Sequence, residues 1–360
     1  MSMSRRNFLK TTLGVGIGAG MLGLGASLLP TTAAHAALTT REMYVFGTLV
    51  NLGAEGDTAQ AQQALNTIEQ RFLLMNRDWH AWKAGELSTL NSALAEGRSM
   101  AVSDDLASLL RGARDAAQAS GDLFNPALGK LIALWDFQSD VQQRSAPPAA
   151  EEIAALCASA PRMSDLRIEI QADGCYMVSS RNPDVRIDLG GYAKGVALDW
   201  ALDHLAAEDL HNAVVNLGGN LAIAGQRDGR PWHIGVRHPQ GEGVIAAIDA
   251  QGREAVVTSG TYERYREWDG QRYPHIIDPR SGRPATHVVS ATVIHADAAW
   301  ADAAATALVV AGTQDWPEIA ARMGITQVMV IDAEGGVGMT AVMAPRVSFV
   351  GARPARVEVV

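Results

Sequence analysis

The run Arg186-Ile187-Asp188-Leu189-Gly190-Gly191-Tyr192-Ala193-Lys194-Gly195 holds the side chains best spaced for phosphate chemistry. Residues 185–187, β-branched at each end, predict a short strand. Leu198, Ala201, Leu202 and Leu205 fall at i, i+3, i+4 and i+7, the spacing of one helix face. A strand, a Gly-Gly turn and a helix start bring bare backbone to a helix N-terminus, where unpaired N–H groups and the helix dipole favour an anion. Asp188 just before the turn and Lys194 just after it add one charge of each sign. A phosphate, with the metal that accompanies it, suits such a place. A tight turn carrying a surface ion pair would read the same way.

A second cluster lies in the C-terminal half. Thr258-Ser259-Gly260-Thr261-Tyr262 precedes Tyr273-Pro274-His275-Ile276-Ile277-Asp278-Pro279. Beyond a strand predicted over 288–294, residues 301–307 are helical by composition, so Asp302 and Thr306 share a face at i and i+4. A carboxylate and a hydroxyl are hard oxygen donors that suit Mg²⁺ far better than zinc. The alternative is an Asp that complements its helix dipole, with Thr306 bonding back to its own turn. His275 is either a proton acceptor or a structural hydrogen-bonding histidine. Trp79, His80 and Trp82 form a stacking wall for a flat ring, or else cap a core edge.

Elements that must position these groups are legible around them. Residues 43–52 alternate as one strand interrupted by Phe46-Gly47-Thr48, and residues 58–77 place Ala61, Leu65, Ile68, Phe72 and Met75 along one helix face. Ser103 is a predicted N-cap for a helix to Ser120, followed by the loop 121–126. Residues 168–178 and 213–224 read as hairpins around Asp173-Gly174 and Gly218-Gly219, and 232–236 as a further strand. Antiparallel pairs interleaved with helices predict an α+β fold with antiparallel or mixed sheets, rather than a doubly wound parallel sheet. The polar, proline-containing stretch 142–150 is a surface loop and starts no second domain.

The 360 residues are 48% hydrophobic and carry 39 acidic against 30 basic side chains. With no basic stripe and no zinc-type spacing, the chain is not expected to bind nucleic acid. Only Cys157 and Cys175 occur, which permits one disulfide without requiring it. Residues 1–36 read as a leader. Arg5-Arg6 precedes a glycine-rich apolar run, then Pro30 and Ala34-His35-Ala36, the layout of a twin-arginine (Tat) signal cleaved near Ala36. The expectation is a periplasmic protein whose single domain spans 37–360, with no stable membrane insertion after cleavage.

Phe46-Gly47-Thr48, the segment 86–91, Phe124-Asn125-Pro126, the run 188–195, Asn216-Leu217-Gly218-Gly219, Thr258-Ser259-Gly260, the run 275–279 and Ala301-Asp302…Thr306 occur in one order. Through them the chain resembles the ApbE family, the FAD:protein FMN transferases, over essentially all of its length beyond the leader. The resemblance implies an α+β fold that binds FAD and Mg²⁺, moves the FMN half onto a Thr or Ser hydroxyl of a target flavoprotein, and releases AMP. It implies FAD contacts at Phe46, Trp82, Phe124, Asn125, Pro126, Asp188, Lys194 and Ile276. The implied metal ligands are the Gly191 carbonyl, Asp302 and Thr306, with Ala305 beside them. His275 and Lys194 take the catalytic roles, His275 as the base for the acceptor hydroxyl. The sequence departs from the pattern at Phe46, usually Met, at Asn125, usually Asp, at Ala127, commonly Thr, and at Asn220, where an acidic residue often follows the Gly-Gly pair. Trp79 competes with Trp82 for the aromatic position. A FAD pyrophosphatase and a non-catalytic flavin-binding module are the rival readings. The implied acceptor is a periplasmic electron-transfer flavoprotein.

Replacing Arg5 and Arg6 together with lysine is expected to leave full-length precursor in the cytoplasm, while the wild type accumulates as a shorter form starting near Ala37. Cell fractionation with N-terminal sequencing checks this, and normal export of the double variant would rule out the twin-arginine route.

Overall fold

The computed structural model describes residues 38–360; the leader expectation for 1–36 falls outside them. A nine-stranded sheet runs in the order Leu38–Val45, Thr48–Glu55, Asn212–Leu217, Asn220–Ala224, Glu254–Gly260, Val288–His295, Gln327–Asp332, Val337–Met339 and Val357–Val359. Every neighbouring pair is antiparallel except the last. The architecture is α+β, as the pattern of elements predicts.

Alternation along the strands sends side chains to two faces. Val257, Val293, Val328 and Val330 join one core with Leu65, Ile68, Leu106, Leu198 and Leu308 of the helices. Val256, Ile294, Met329 and Ile331 join another with Trp232, Ile234, Val236 and Ile248. Those last four lie on a three-stranded sheet of Trp232–Arg237, Val244–Ala250 and Val347–Phe349. The result is three layers: helices, the large sheet, and the small sheet.

The helices that matter for the site are Thr58–Asp78, Glu86–Ala95, Asp104–Ser120, Ala193–Ala207 and Ala298–Arg322. Ser103 caps as predicted, its Oγ accepting from the Leu106 N–H at 3.2 Å. Both predicted hairpins form, Leu166–Ile170 with Tyr176–Ser180 and Asn212–Leu217 with Asn220–Ala224.

Two expectations are corrected. Residues 43–52 are not one interrupted strand but two strands of a hairpin that reverses at Phe46-Gly47, both at positive φ (55° and 71°). A two-residue turn of that handedness matches the twist of its flanking strands. Residues 185–187 do not form a strand; Arg186 makes one isolated bridge to Leu128. Where a strand partner would lie, the buried Asn91 side chain does the pairing. Its Oδ1 accepts from the Ile187 N–H at 2.7 Å and its Nδ2 donates to the Ile187 carbonyl at 2.8 Å. On the flanking residue, the Asp188 N–H donates to the Pro126 carbonyl at 2.8 Å. Cys157 and Cys175 are both free. Among the described residues no helix is long and apolar enough to cross a membrane.

Asn91→Ala leaves a buried N–H and a buried carbonyl of Ile187 without these partners. The expected loss is about 2–4 kcal/mol of stability, read as a lower urea midpoint at unchanged m-value. A loss below about 0.5 kcal/mol would mean water replaces the amide.

Candidate active site

The helix Ala193–Ala207 follows Gly190-Gly191 with Tyr192 as its N-cap, and its first turn crosses the first turns of Ala298–Arg322. Gly195 is required there, because a Cβ would lie 2.3 Å from the Ala298 carbonyl oxygen and 2.4 Å from the Ala299 Cα. The helices exchange carboxylates across this contact. Asp199 accepts from the Ala298 and Ala299 N–H groups at 3.0 and 2.9 Å, and Asp302 accepts from the Gly195 N–H at 3.2 Å. Asp302 therefore serves the N-terminus of the other helix, while Asp297 caps its own.

Asp302 is 2% exposed. Burial raises its carboxyl pKa, opposed by the nearby Lys194 charge, the Gly195 N–H and the Asn220 amide. Asn220 donates to the second Asp302 oxygen at 3.0 Å. One turn along, the Thr306 hydroxyl lies 3.2 Å from Ser259 Oγ and donates to the Asp302 carbonyl at 3.2 Å. So the back-bonding alternative for Thr306 is realised together with its shared face. Gly191 faces Thr306: a Cβ there would sit 2.9 Å from Thr306 Oγ1 and 3.4 Å from the Phe124 ring. Ala305, fully buried, lies on the same helix beside them.

These residues fit a hard divalent cation by chemistry: one carboxylate, one hydroxyl, and the backbone of a glycine whose missing side chain leaves room beside the Thr306 hydroxyl. Among the described residues no group of three or more His, Cys, Asp and Glu gathers as a metal site, so a cation here would rest on a single carboxylate and neutral oxygens.

Around the Gly-Gly turn, Asp188 accepts from Trp82 Nε1 at 2.7 Å and from the Gly190 N–H at 2.9 Å. The Arg186 guanidinium stacks over the Trp82 ring, 4.1 Å from its centroid. Trp79 is instead packed into the core, so Trp82 is the tryptophan at the turn. His80 fixes its loop: Nδ1 accepts from the Trp82 and Lys83 N–H groups at 3.0 and 3.1 Å. Phe46 caps its hairpin, edge-on to Phe72. Phe124 and Ile276 are buried, and Phe124 packs beside Tyr192. Asn125 has both ends of its amide engaged, donating to the Pro161 carbonyl at 2.9 Å and accepting from the Ala127 N–H at 3.0 Å. With Pro126 it shapes the loop rather than offering a free polar group.

His275 follows the short strand Gln271–Pro274. Its Nδ1 is 3.0 Å from the Arg264 carbonyl, which can only accept, so Nδ1 carries the proton and Nε2 keeps a lone pair. Desolvation, with smaller contributions from the Arg264 and Lys194 charges, pushes the ring's pKa down to about 4 although the Arg264 carbonyl opposes this. The ring is thus neutral at physiological pH. Arg264 also donates to the Phe137 and Ser139 carbonyls, and the buried Arg266 to the Asp136 carbonyl at 2.8 Å, which straps the 136–144 loop to the strand pair carrying His275. Sequence reading missed Asn91, Ser259, Arg264 and Arg266 as supports, because their partners lie 47 to 130 residues away.

The chain has measurable relatives. The ApbE family pattern matches residues 46–330. A FAD:protein FMN transferase of Rhodobacter capsulatus is 42% identical over 99% of this chain, which spans 66% of that protein's length. Another, of Treponema pallidum, is 35% identical over 76% of this chain and 78% of its own. Among solved structures, the ApbE protein of Thermotoga maritima superposes with a TM-score of 0.78 at 29% identity, covering 86% of this chain and 99% of the other. Flavin Transferase ApbE from Vibrio cholerae gives 0.74 at 27% identity, with coverages of 86% and 99%.

In the ligand-free protein, the His275 ring is expected to stay neutral, as its Nδ1–H tautomer, until the pH falls to about 4. An NMR titration of the imidazole nitrogens checks this. A midpoint near the ordinary 6.5 would mean the ring is solvated and its Arg264 bond open.

Proposed function

This chain belongs to the ApbE family, and from that premise we propose that it transfers FMN from FAD to a Thr or Ser hydroxyl of an acceptor flavoprotein, releasing AMP. The protein is a transferase. The observation that carries the reading is the meeting of Lys194, Gly191, Asp302 and Thr306 at one helix crossing, with the Lys194 charge also felt at His275.

In this reaction the acceptor oxygen forms a bond to the FMN-side phosphorus, and the bond from that phosphorus to the AMP phosphate oxygen breaks. The hydroxyl proton goes to the His275 Nε2 lone pair, and AMP leaves with the bonding electrons. Such proton transfer is typically worth ~10² to 10⁴-fold when the base's pKa lies near the working pH. The negative charge of a bound pyrophosphate would raise the ring from its ligand-free value of about 4 toward that range. Lys194 sets a fixed positive charge beside the pyrophosphate at the N-terminus of Ala193–Ala207, where backbone N–H groups also favour an anion. Phe46, Trp82, Phe124, Asn125, Pro126, Asp188 and Ile276 border the FAD, with Asp188 holding Trp82 in place through its indole N–H. The Gly191 carbonyl, Asp302 and Thr306 would hold Mg²⁺, with Ala305 small enough to leave space beside them. A Mg²⁺ bound there supplies charge neutralisation at the phosphate oxygens.

The leader at 1–36 is read as a twin-arginine signal that delivers the domain 37–360 to the periplasm, where an electron-transfer flavoprotein is the acceptor. Cleavage leaves no stable membrane insertion.

With FAD and Mg²⁺ but no acceptor, AMP release is expected to be slow. An acceptor bearing a suitable Thr or Ser accelerates it and gains the mass of FMN, read by intact-protein mass spectrometry. Asp302→Ala should lower turnover ~10²-fold or more, and Thr306→Ala less, since water replaces a neutral ligand. Rapid acceptor-independent conversion of FAD to FMN and AMP would identify a pyrophosphatase instead. Unchanged Mg²⁺ dependence in a folded Asp302→Ala variant would place the metal elsewhere.

A further inference from the structure

Asn220 is 2% exposed and opens the strand Asn220–Ala224, just after Gly218 and Gly219, whose φ values are 63° and 105°. Its Nδ2 lies 3.0 Å from one Asp302 oxygen, and the Gly195 N–H lies 3.2 Å from the other. Each carboxylate oxygen thus receives one donor from the protein and keeps a lone pair for something else. The two donors come from different elements, a strand of the sheet and the first turn of a helix, so the plane of the carboxylate is fixed from both sides.

The charge balance at this spot is unusual for a cation site. Asp302 supplies a single negative charge, and Thr306, Asn220 and the Gly191 backbone supply none. Lys194 acts on Asp302 with a positive charge. Formally the protein offers a divalent cation no net negative charge. Mg²⁺ sheds its water reluctantly and is commonly held by one or two carboxylates together with substrate phosphates. A pyrophosphate brings the negative charge that the protein lacks.

We infer that Asn220 is a positioning residue that fixes the Asp302 carboxylate and keeps the site to a single carboxylate, so that the divalent cation enters with the substrate pyrophosphate rather than residing in the free protein. The inference rests on the proposed metal role of Asp302. An aspartate at 220 would match asparagine in shape while placing a second carboxylate about 3 Å from the first, which turns the same cradle into a site for the bare ion.

The test uses Mn²⁺ as an EPR-visible probe and ADP as a pyrophosphate with no flavin to transfer, the free Mn²⁺ signal being corrected for the Mn²⁺–ADP complex. Wild-type protein should bind Mn²⁺ at least about tenfold more tightly when ADP is present. Asn220→Asp should bind bare Mn²⁺ at least about tenfold more tightly than wild type, with a smaller further gain from ADP. Asn220→Ala should not tighten bare binding, and should weaken ADP-supported binding by roughly 10- to 100-fold. Melting curves establish that the variants are folded, and the wild-type comparison stands without them. Equal wild-type affinity with and without ADP overturns the inference, as does unchanged bare affinity in folded Asn220→Asp. Undiminished ADP-supported Mn²⁺ binding by Asp302→Ala is a different failure: it removes the proposed metal site itself.

Discussion

Two carboxylates crossing between the same pair of helices hold the centre of this protein together. Asp199 reaches from Ala193–Ala207 to the first N–H groups of Ala298–Arg322, and Asp302 reaches back to Gly195. Each anion meets donors that a helix start leaves unpaired and a dipole end of opposite sign. Burial works against both, pushing Asp199 up to about 6 and raising Asp302. What balances desolvation is the closeness that Gly195 permits. The proposed metal role would give Asp302 a double task, since the oxygen atoms that fix one helix against the other are those it would offer to a cation.

The remaining parts of the site are brought to this crossing by side chains standing in for backbone. Asn91 pairs with Ile187 as a strand would, which holds Asp188 and the glycine turn without widening the sheet. His80 caps the loop that carries Trp82. Arg264 and Arg266 collect carbonyls from the 136–144 loop, and the Arg264 carbonyl then selects the tautomer of His275. The tautomer follows from that one acceptor, and the neutrality of the ring from its burial.

Much of this was legible from the sequence wherever a short period or a local signal governed it. The helix faces, the Ser103 cap and the hairpins at Asp173-Gly174 and Gly218-Gly219 obey rules that act within a few residues. The pairing of Asp302 with Thr306 was readable for the same reason. The turn at Phe46-Gly47 was hidden because a phenylalanine at positive φ is atypical, so alternation on both sides looked like one strand. The strand expected at 185–187 failed because the Ile187 backbone is paired by the Asn91 side chain, a partner 96 residues away that no window contains, and the Val185 N–H turns to the Asn182 carbonyl. The choice between Trp79 and Trp82 likewise depended on the distant Asp188.

The small sheet of Trp232–Arg237, Val244–Ala250 and Val347–Phe349 packs on the face of the large sheet opposite the helices and supplies none of the residues discussed at the site. The two faces of one sheet are therefore under separate demands. A side chain altered in the small sheet changes how firmly the molecule is held, whereas one altered among the helices changes where oxygen atoms point. The outer surface of the small sheet is consequently the place for a surface tether or a fluorescent reporter, since a label there leaves the helix crossing undisturbed.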